Sequence, residues 1–330
     1  MRVLFPFFTV IVLVLLAFAG VKMANLHFLF GVIIPYAAIM VFIAGFIYRV
    51  IGWGRSPVPF RIPTTCGQME SFPWIKQNKL ENPSTTMGVI GRMLLEVLFF
   101  RSLFRNIKTE FREGPKFSYG SDKWLWMAGL AFHWSFLIIL IRHVRFFFLK
   151  VPYVIHVMES LDSFLQIGAP LFYITDALIL GAVTFLVLRR FLIPQVKYIS
   201  LAADYFPLFL ILTIAATGVL MRYFFKVHIV GVKELAMGLV SFSPTIPEGI
   251  GVLFYIHLFL ICVLFAYFPF SKLMHMGGVF LSPTRNMANN NRAVRHINPW
   301  NYPVHVHTYE EYEDEFRDKM KKAGIPVEKE

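Results

Sequence analysis

The sequence predicts an all-α, polytopic membrane helix bundle with six transmembrane helices and both termini in the cytoplasm. Three observations carry that reading. The composition is 57% hydrophobic and 17% aromatic with only 16% charged residues, which belongs to integral membrane proteins. Six stretches approach or exceed the ~20 apolar residues a helix needs to cross a bilayer, at roughly 3–21, 28–48, 124–149, 168–188, 205–221 and 252–271. Runs of this length are not barrel strands. Positive charge then sets the topology: Arg49, Arg55, Arg61, Lys76, Lys79, Arg92, Arg101 and Arg105 follow the second stretch, Arg189, Arg190 and Lys197 the fourth, and Lys272, Arg285, Arg292 and Arg295 the sixth. These regions share the cytoplasmic side. The formal charge of +12 raises nucleic-acid binding, but the basic residues flank membrane segments, so topology accounts for it.

The first stretch carries Arg2, a long apolar core and Ala17-Phe18-Ala19, the pattern of a cleaved signal peptide. Its core is long for that, and it is read as a retained helix. The second stretch leads into a long cytoplasmic loop, 49–123, where Pro57, Pro59, Pro63, Pro73 and Pro83 forbid regular helix in the first half. After Asn82-Pro83-Ser84, apolar Ile90, Met93, Leu94, Val97, Leu98 and Phe104 recur at helical spacing between Arg92, Glu96, Arg101 and Arg105. This predicts an amphipathic helix at the membrane interface or against a partner. Lys150 to Ile167 and Arg222 to Gly249 read as short outer loops. Residues 1–273 thus form the membrane domain and 274–330 a cytoplasmic tail. In the tail, Thr308 and Glu311 make a capping-box pattern, with Glu310, Glu313, Asp314 and Glu315 ahead of Arg317, Lys319, Lys321 and Lys322, and Gly324 and Pro326 closing the helix.

Histidines carry the chemistry. His133 and His143 lie on the third stretch, and His257 and His275 lie around the sixth. An imidazole in hydrocarbon normally signals function. Separations of about 15 Å and 27 Å along two helices stop either pair from closing on one ion. Between antiparallel helices, His133 meets His275 near the inner face and His143 meets His257 near the outer face, which suits two b haems with paired imidazole ligands. Zinc would need ligands converging on one point. Covalent c-type haem needs Cys-x-x-Cys-His, which is lacking, and Cys66 with Cys262 cannot hold an iron-sulfur cluster through four thiolates. Arg142, Arg145 and Lys150 conflict with the charge rule at the outer end of the third stretch; they snorkel or neutralise haem propionates. Asp176 and Asp204 either cap helices or move protons. His27, His228, His296, His305 and His307 are read as ordinary polar residues.

The ten- and eighteen-residue histidine spacings resemble those of the dihaem cytochrome b, or gamma, subunits of respiratory nitrate reductases, over about residues 120–280. Within that group, Leu95-Glu96-Val97-Leu98-Phe99-Phe100-Arg101-Ser102-Leu103-Phe104, Ser282-Pro283-Thr284-Arg285-Asn286-Met287 and Asn298-Pro299-Trp300-Asn301 are similar to the DsrM-type cytochromes of DsrMKJOP complexes, over nearly the whole chain. Nitrate reductase subunits have one transmembrane helix fewer, so the first stretch departs from them. The resemblance implies a subunit of a quinol-linked oxidoreductase in the cytoplasmic membrane, exchanging electrons between menaquinol and a cytoplasmic iron-sulfur, DsrK-like subunit related to heterodisulfide reductase. It implies dissimilatory sulfur metabolism and further partners: a periplasmic cytochrome c, a periplasmic iron-sulfur protein and a second membrane quinone-interacting subunit. Quinol must lose protons, so Lys150, His156 and Asp162, near Glu159 in the loop adjoining His143, are candidates for the quinone site. Two rivals remain: a transporter or channel whose histidines relay protons, which predicts discontinuous helices and an internal repeat, and a structural anchor that has lost its cofactors.

Overall fold

The computed structural model describes residues 2–56, 67–114, 116–165, 170–282, 284–290 and 305–329. Pro57, Pro59, Arg61, Pro63, Cys66, Pro283, Arg292, Arg295, His296 and the segment 298–301 lie outside the described residues. α1 (Leu4–Phe18) continues as a π turn, Ala19–Met23. A second π turn, Leu29–Ile33, opens α2 (Ile34–Arg55). In the long loop, Thr85 starts α3 (Thr86–Phe99) by accepting the Gly88 N–H at 3.2 Å, as an N-cap threonine should. The short α4 (Arg101–Phe104) follows Phe100.

An antiparallel hairpin comes next, β1 (Ile107–Arg112) with β2 (Lys116–Ser121), in register from Ile107 opposite Ser121 to Arg112 opposite Lys116. It corrects the all-α expectation to mostly helical. The turn uses Gly114 at φ 80°, a left-handed conformation that glycine adopts without cost.

The chain continues through α5 (Lys123–His143), extended by a 3-10 turn Val144–Phe147, then α6 (Tyr153–Asp162), α7 (Ile174–Leu192), α8 (Pro194–Ile199) and α9 (Ala202–Tyr223). α10 (Ile229–Val240), α11 (Val252–Tyr267), α12 (His275–Leu281) and α13 (Tyr309–Lys322) complete it. Both expected outer loops therefore contain helices, α6 and α10, of 10 and 12 residues and too short to cross a bilayer. The tail helix has the expected reciprocal cap between Thr308 and Glu311, and Gly324 leaves it at φ 71°.

Among the described residues, five helices are long and apolar enough to cross a membrane: Leu4–Met23, Leu29–Arg55, Lys123–Phe147, Ala202–Tyr223 and Val252–Phe270. α7 has 19 residues but carries Asp176, Arg189 and Arg190 near its ends. Its start is later than the expected 168, because Leu171 to Tyr173 are not helical and α7 opens only after Tyr173, in extended conformation. α5 packs on α7, α7 on α9, α9 on α1 and α11, and α11 on α1 and α2. The main core joins Ala17, Phe30, Leu210, Leu235, Tyr255 and Leu260; a smaller one joins Ile179, Val183, Val187 and Ile211. Phe5, Phe8, Met40 and Leu140 stay accessible on outer faces, where a bilayer covers them.

Candidate haem-ligand site

His133 and His143 are ten residues apart on one continuous helix, α5, which is about 15 Å along its axis. His257 lies in the second turn of α11. Eighteen further residues of straight helix would carry His275 about 27 Å away, and that cannot match α5 at both ends. The chain breaks instead. Pro269 has no N–H to continue the helix, Phe268–Phe270 tighten into a 3-10 turn, Ser271 is extended at φ −120° and ψ 177°, and a second 3-10 turn, Lys272–Met274, delivers His275 to the start of α12. Within the sixth stretch, 252–271, the α-helix thus ends at Tyr267 and a 3-10 turn closes it at Phe270. Gly45 of α2 admits the break: a Cβ there would lie 2.7 Å from Pro269 Cβ. Asp204, which caps α9 through the Leu201 N–H at 2.9 Å, anchors it from the other side by pairing with Lys272 at 2.6 Å.

With that break, the rings of His133 and His275 stand 6.0 Å apart, centre to centre, and those of His143 and His257 stand 6.5 Å apart. Two imidazoles clamping one metal through nitrogens about 2 Å from it stand roughly 6 Å apart. The hydrogen bonds fit the same chemistry. Nδ1 lies 2.7 Å from Gly129 O in His133, 2.7 Å from Ile139 O in His143 and 2.9 Å from Lys272 O in His275. A carbonyl can only accept, so each Nδ1 carries the proton and each Nε2 keeps its lone pair free for a metal. His257 Nδ1 instead meets Thr217 Oγ1 at 2.8 Å, and that oxygen lies 2.9 Å from both Thr213 O and Ile214 O. With its proton on one of those carbonyls, the threonine oxygen can accept the His257 Nδ1–H, which leaves Nε2 free as in the other three. All four donor sets therefore suit haem iron.

The polar residues beside His143 are mutually engaged. Arg142, buried, donates to Asp176 Oδ1 at 2.6 Å and Thr175 Oγ1 at 3.2 Å, lies 3.4 Å from Asp162 Oδ2 and sits 3.8 Å over the Tyr173 ring. Arg222 lies 3.9 Å from the same ring. Tyr223 donates to Asp176 Oδ2 at 2.9 Å. The two carboxylates balance the two guanidiniums, and the network ties α5, α6, α7 and α9 together. Asp162 points into it, accepting the Thr175 N–H at 2.9 Å and hydroxyl at 2.6 Å. Lys150 and His156 are exposed, with His156 3.8 Å from Glu159 Oε2 and Arg145 2.5 Å from Glu159 Oε1. Among the described residues no hydrogen bond or ion pair joins Lys150, His156 and Asp162 to one another.

At the other end, two of the segments bearing the family likeness, 95–104 and the described residues 284–287, interlock. Arg92, buried, donates to the carbonyls of Glu81 at 3.1 Å, Thr284 at 3.2 Å and Arg285. Burial, and next the charge of Arg285, pull its pKa below the ordinary arginine value. Arg285 pairs with Glu96 at 2.7 Å and donates to Ser102 Oγ at 3.0 Å. Trp126 and Trp134 of α5 donate to Phe99 O at 2.7 Å and Leu98 O at 3.0 Å. Phe100 then turns in the left-handed region, at φ 50°, and sets its ring edge-on to His133 at 4.9 Å. Bulky residues rarely adopt that backbone, and such strain concentrates at functional positions. Sequence reasoning missed Phe100 and Thr217, which carry no spacing signal of their own.

Residues 93–296 match the family described as nitrate reductase gamma subunit. The chain is 44% identical over 279 residues to the Hdr-like menaquinol oxidoreductase cytochrome b-like subunit of Archaeoglobus fulgidus, covering 82% of this chain and 83% of that protein. It is 41% identical over 274 residues to the protein of the same name from Archaeoglobus profundus, covering 81% of each.

Proposed function

The chain belongs to the nitrate reductase gamma subunit family, and on that premise we propose that it is a six-span membrane subunit passing electrons between menaquinol and a cytoplasmic iron-sulfur partner. The observation that carries this is the pair of cross-helix histidine contacts with every Nδ1 already engaged. His133 with His275, and His143 with His257, would each hold one b haem, and the haems supply the one-electron redox chemistry when bound. α7 counts as the sixth span because its charges are partnered: Asp176 by Arg142 and Tyr223, Arg189 by Asp122 at 3.2 Å, and Arg190 by the Ser200 hydroxyl at 2.8 Å. The basic loop 49–123 and the tail face the cytoplasm. The Hdr-like wording of the relatives' names and the DsrM-type segments support a DsrK-like partner docked there, serving a sulfur-bearing disulfide or trisulfide within a larger DsrMKJOP-type assembly.

The protein's own part is to hold ligands, screen them and accept protons. Menaquinol oxidised beside His143 and His257 gives up two electrons and two protons and leaves as menaquinone. His156, paired with Glu159, is the exposed base able to take a proton at that end, and Lys150 stands at the same end. Asp162, with Thr175, fixes Arg142 beside His143.

The experiment is reduction of the purified chain by a menaquinol analogue, followed through reduced-minus-oxidised b-type absorption. Two b haems per chain should be reduced, and His156→Gln should slow reduction several-fold with both haems retained. Absence of any b-type difference spectrum in the intact, membrane-inserted chain would leave the histidines as helix-to-helix contacts and sink the proposal.

A further inference from the structure

The tail gathers two imidazoles and a carboxylate that electron transfer does not use. His305 and His307 lie two residues apart on the non-helical stretch entering α13, a spacing that places both on one side of the backbone. Their ring centres are 4.6 Å apart. Glu311 occupies the third position of the helix. Its Oε2 accepts the Thr308 N–H at 2.9 Å, while Thr308 Oγ1 accepts the Glu311 N–H at 3.3 Å. This reciprocal cap turns the carboxylate back over the incoming chain, and Oε1 stands 3.9 Å from His305 Nε2. One ligand atom from each of the three residues lies within 4.8 Å of the others.

We propose that His305, His307 and Glu311 form a divalent-metal site for a borderline ion of the Zn2+ class, with water completing the coordination. Two imidazoles and one carboxylate are the donors such ions take, whereas Mg2+ and Ca2+ favour oxygen ligands. The helix cap survives, since it uses Oε2 and the ion uses Oε1. All three side chains are exposed, so an ion enters without burying charge, and rotamer shifts of roughly an ångström bring the ligands to about 2 Å from it. Bound metal would staple the entering chain to the first turn of α13.

The test uses the full-length, tag-free chain in detergent, stripped with EDTA and titrated with Zn2+ against a chromophoric chelator. Wild-type chain should take up one Zn2+, and excess Mg2+ should not displace it. His305→Ala and His307→Ala should each weaken uptake about ten-fold or more. Glu311→Gln keeps an oxygen for the Thr308 N–H and so preserves the helix start, yet it should weaken uptake similarly. The visible absorption spectrum should be the same in every variant. Equal Zn2+ affinity in wild type and all three variants, no stoichiometric uptake by wild type, or displacement by Mg2+ would each overturn the site.

Discussion

His257 differs from its three counterparts because a hydroxyl, not a main-chain carbonyl, receives its Nδ1–H. Thr217→Val would remove that acceptor and leave a buried N–H unpaired, a cost of about 1–3 kcal/mol. If His143 and His257 hold a haem as proposed, the expected result is a shifted potential or weakened retention of that haem, with the absorption assigned to His133 and His275 unchanged and Thr217→Ser restoring the wild-type behaviour. Redox titration of the b-type absorption checks this; superimposable titrations of wild type and the valine variant would show that the hydroxyl orients nothing. The ring planes make a second difference, 80° between His133 and His275 but 21° between His143 and His257. Near-parallel imidazoles donate π density into one iron d orbital and split the pair, whereas crossed rings leave it nearly degenerate. The ferric protein should therefore show two low-spin signals in electron paramagnetic resonance, and the larger g anisotropy should vanish in His133→Ala or His275→Ala. Histidine spacing was readable from the sequence. Thr217 was not, because it lies 40 residues from the imidazole it serves.

Elements with local signals behaved as their sequences require. The Thr308 cap, the charge order along α13 and the Gly324 exit all appear. The β1–β2 hairpin and the α11–α12 break were not read. The hairpin's alternation covers only six residues per strand, and the break depends on Pro269, Ser271 and the closeness of Gly45 on another helix. A discontinuity of this kind is the hallmark expected of a transporter; here it lets unequal histidine spacings meet. The clasp between α3 and the chain after α12 rests on Arg92, and Arg92→Leu would leave several carbonyls unpaired. Faster proteolysis of the 67–106 region is expected, while the b-type absorption persists; unchanged cleavage would assign the clasp to the other contacts across it, Arg285 with Glu96 and Ser102 and the Asn289 N–H with the Pro83 carbonyl. In the tail, the main-chain N–H groups of Glu328 and Lys329 hold the Glu313 carboxyl below the ordinary glutamate value of 4.5. A depressed folded pKa contributes stability at and above that value and loses it as pH falls through the lowered one. Protection of the Glu328 and Lys329 amides, taken relative to their intrinsic exchange rates at each pH, should accordingly fall in acid below about pH 4.5 and be lost at neutral pH in Glu313→Ala.

Across the whole molecule, the two histidine pairs stand at two levels of α5, one at its C-terminal His143 and one at His133 midway along it, each toward a different polar structure. At the His143 end, Arg142 is paired with Asp162 and Asp176, while Arg222 is held by the Leu171 carbonyl and the Tyr173 ring, which explains why arginines sit where the charge rule places few. At the His133 end, much of the positive charge is spent inside the protein: Arg101 and Arg105 on Glu81, Arg285 on Glu96, Arg189 on Asp122. Sequence alone could count these charges but could not pair them, since the partners lie 20 to 189 residues apart. If two metal-binding centres bridge α5 to the broken α11–α12 unit, the four single variants His133→Ala, His143→Ala, His257→Ala and His275→Ala must fall into two matched pairs. Haem content and difference spectra are measured on each membrane-inserted chain. His133→Ala and His275→Ala should lose the same haem, His143→Ala and His257→Ala the other, and each variant should keep its second haem; loss of different haems within either pair, or full haem content in any variant, would overturn the pairing.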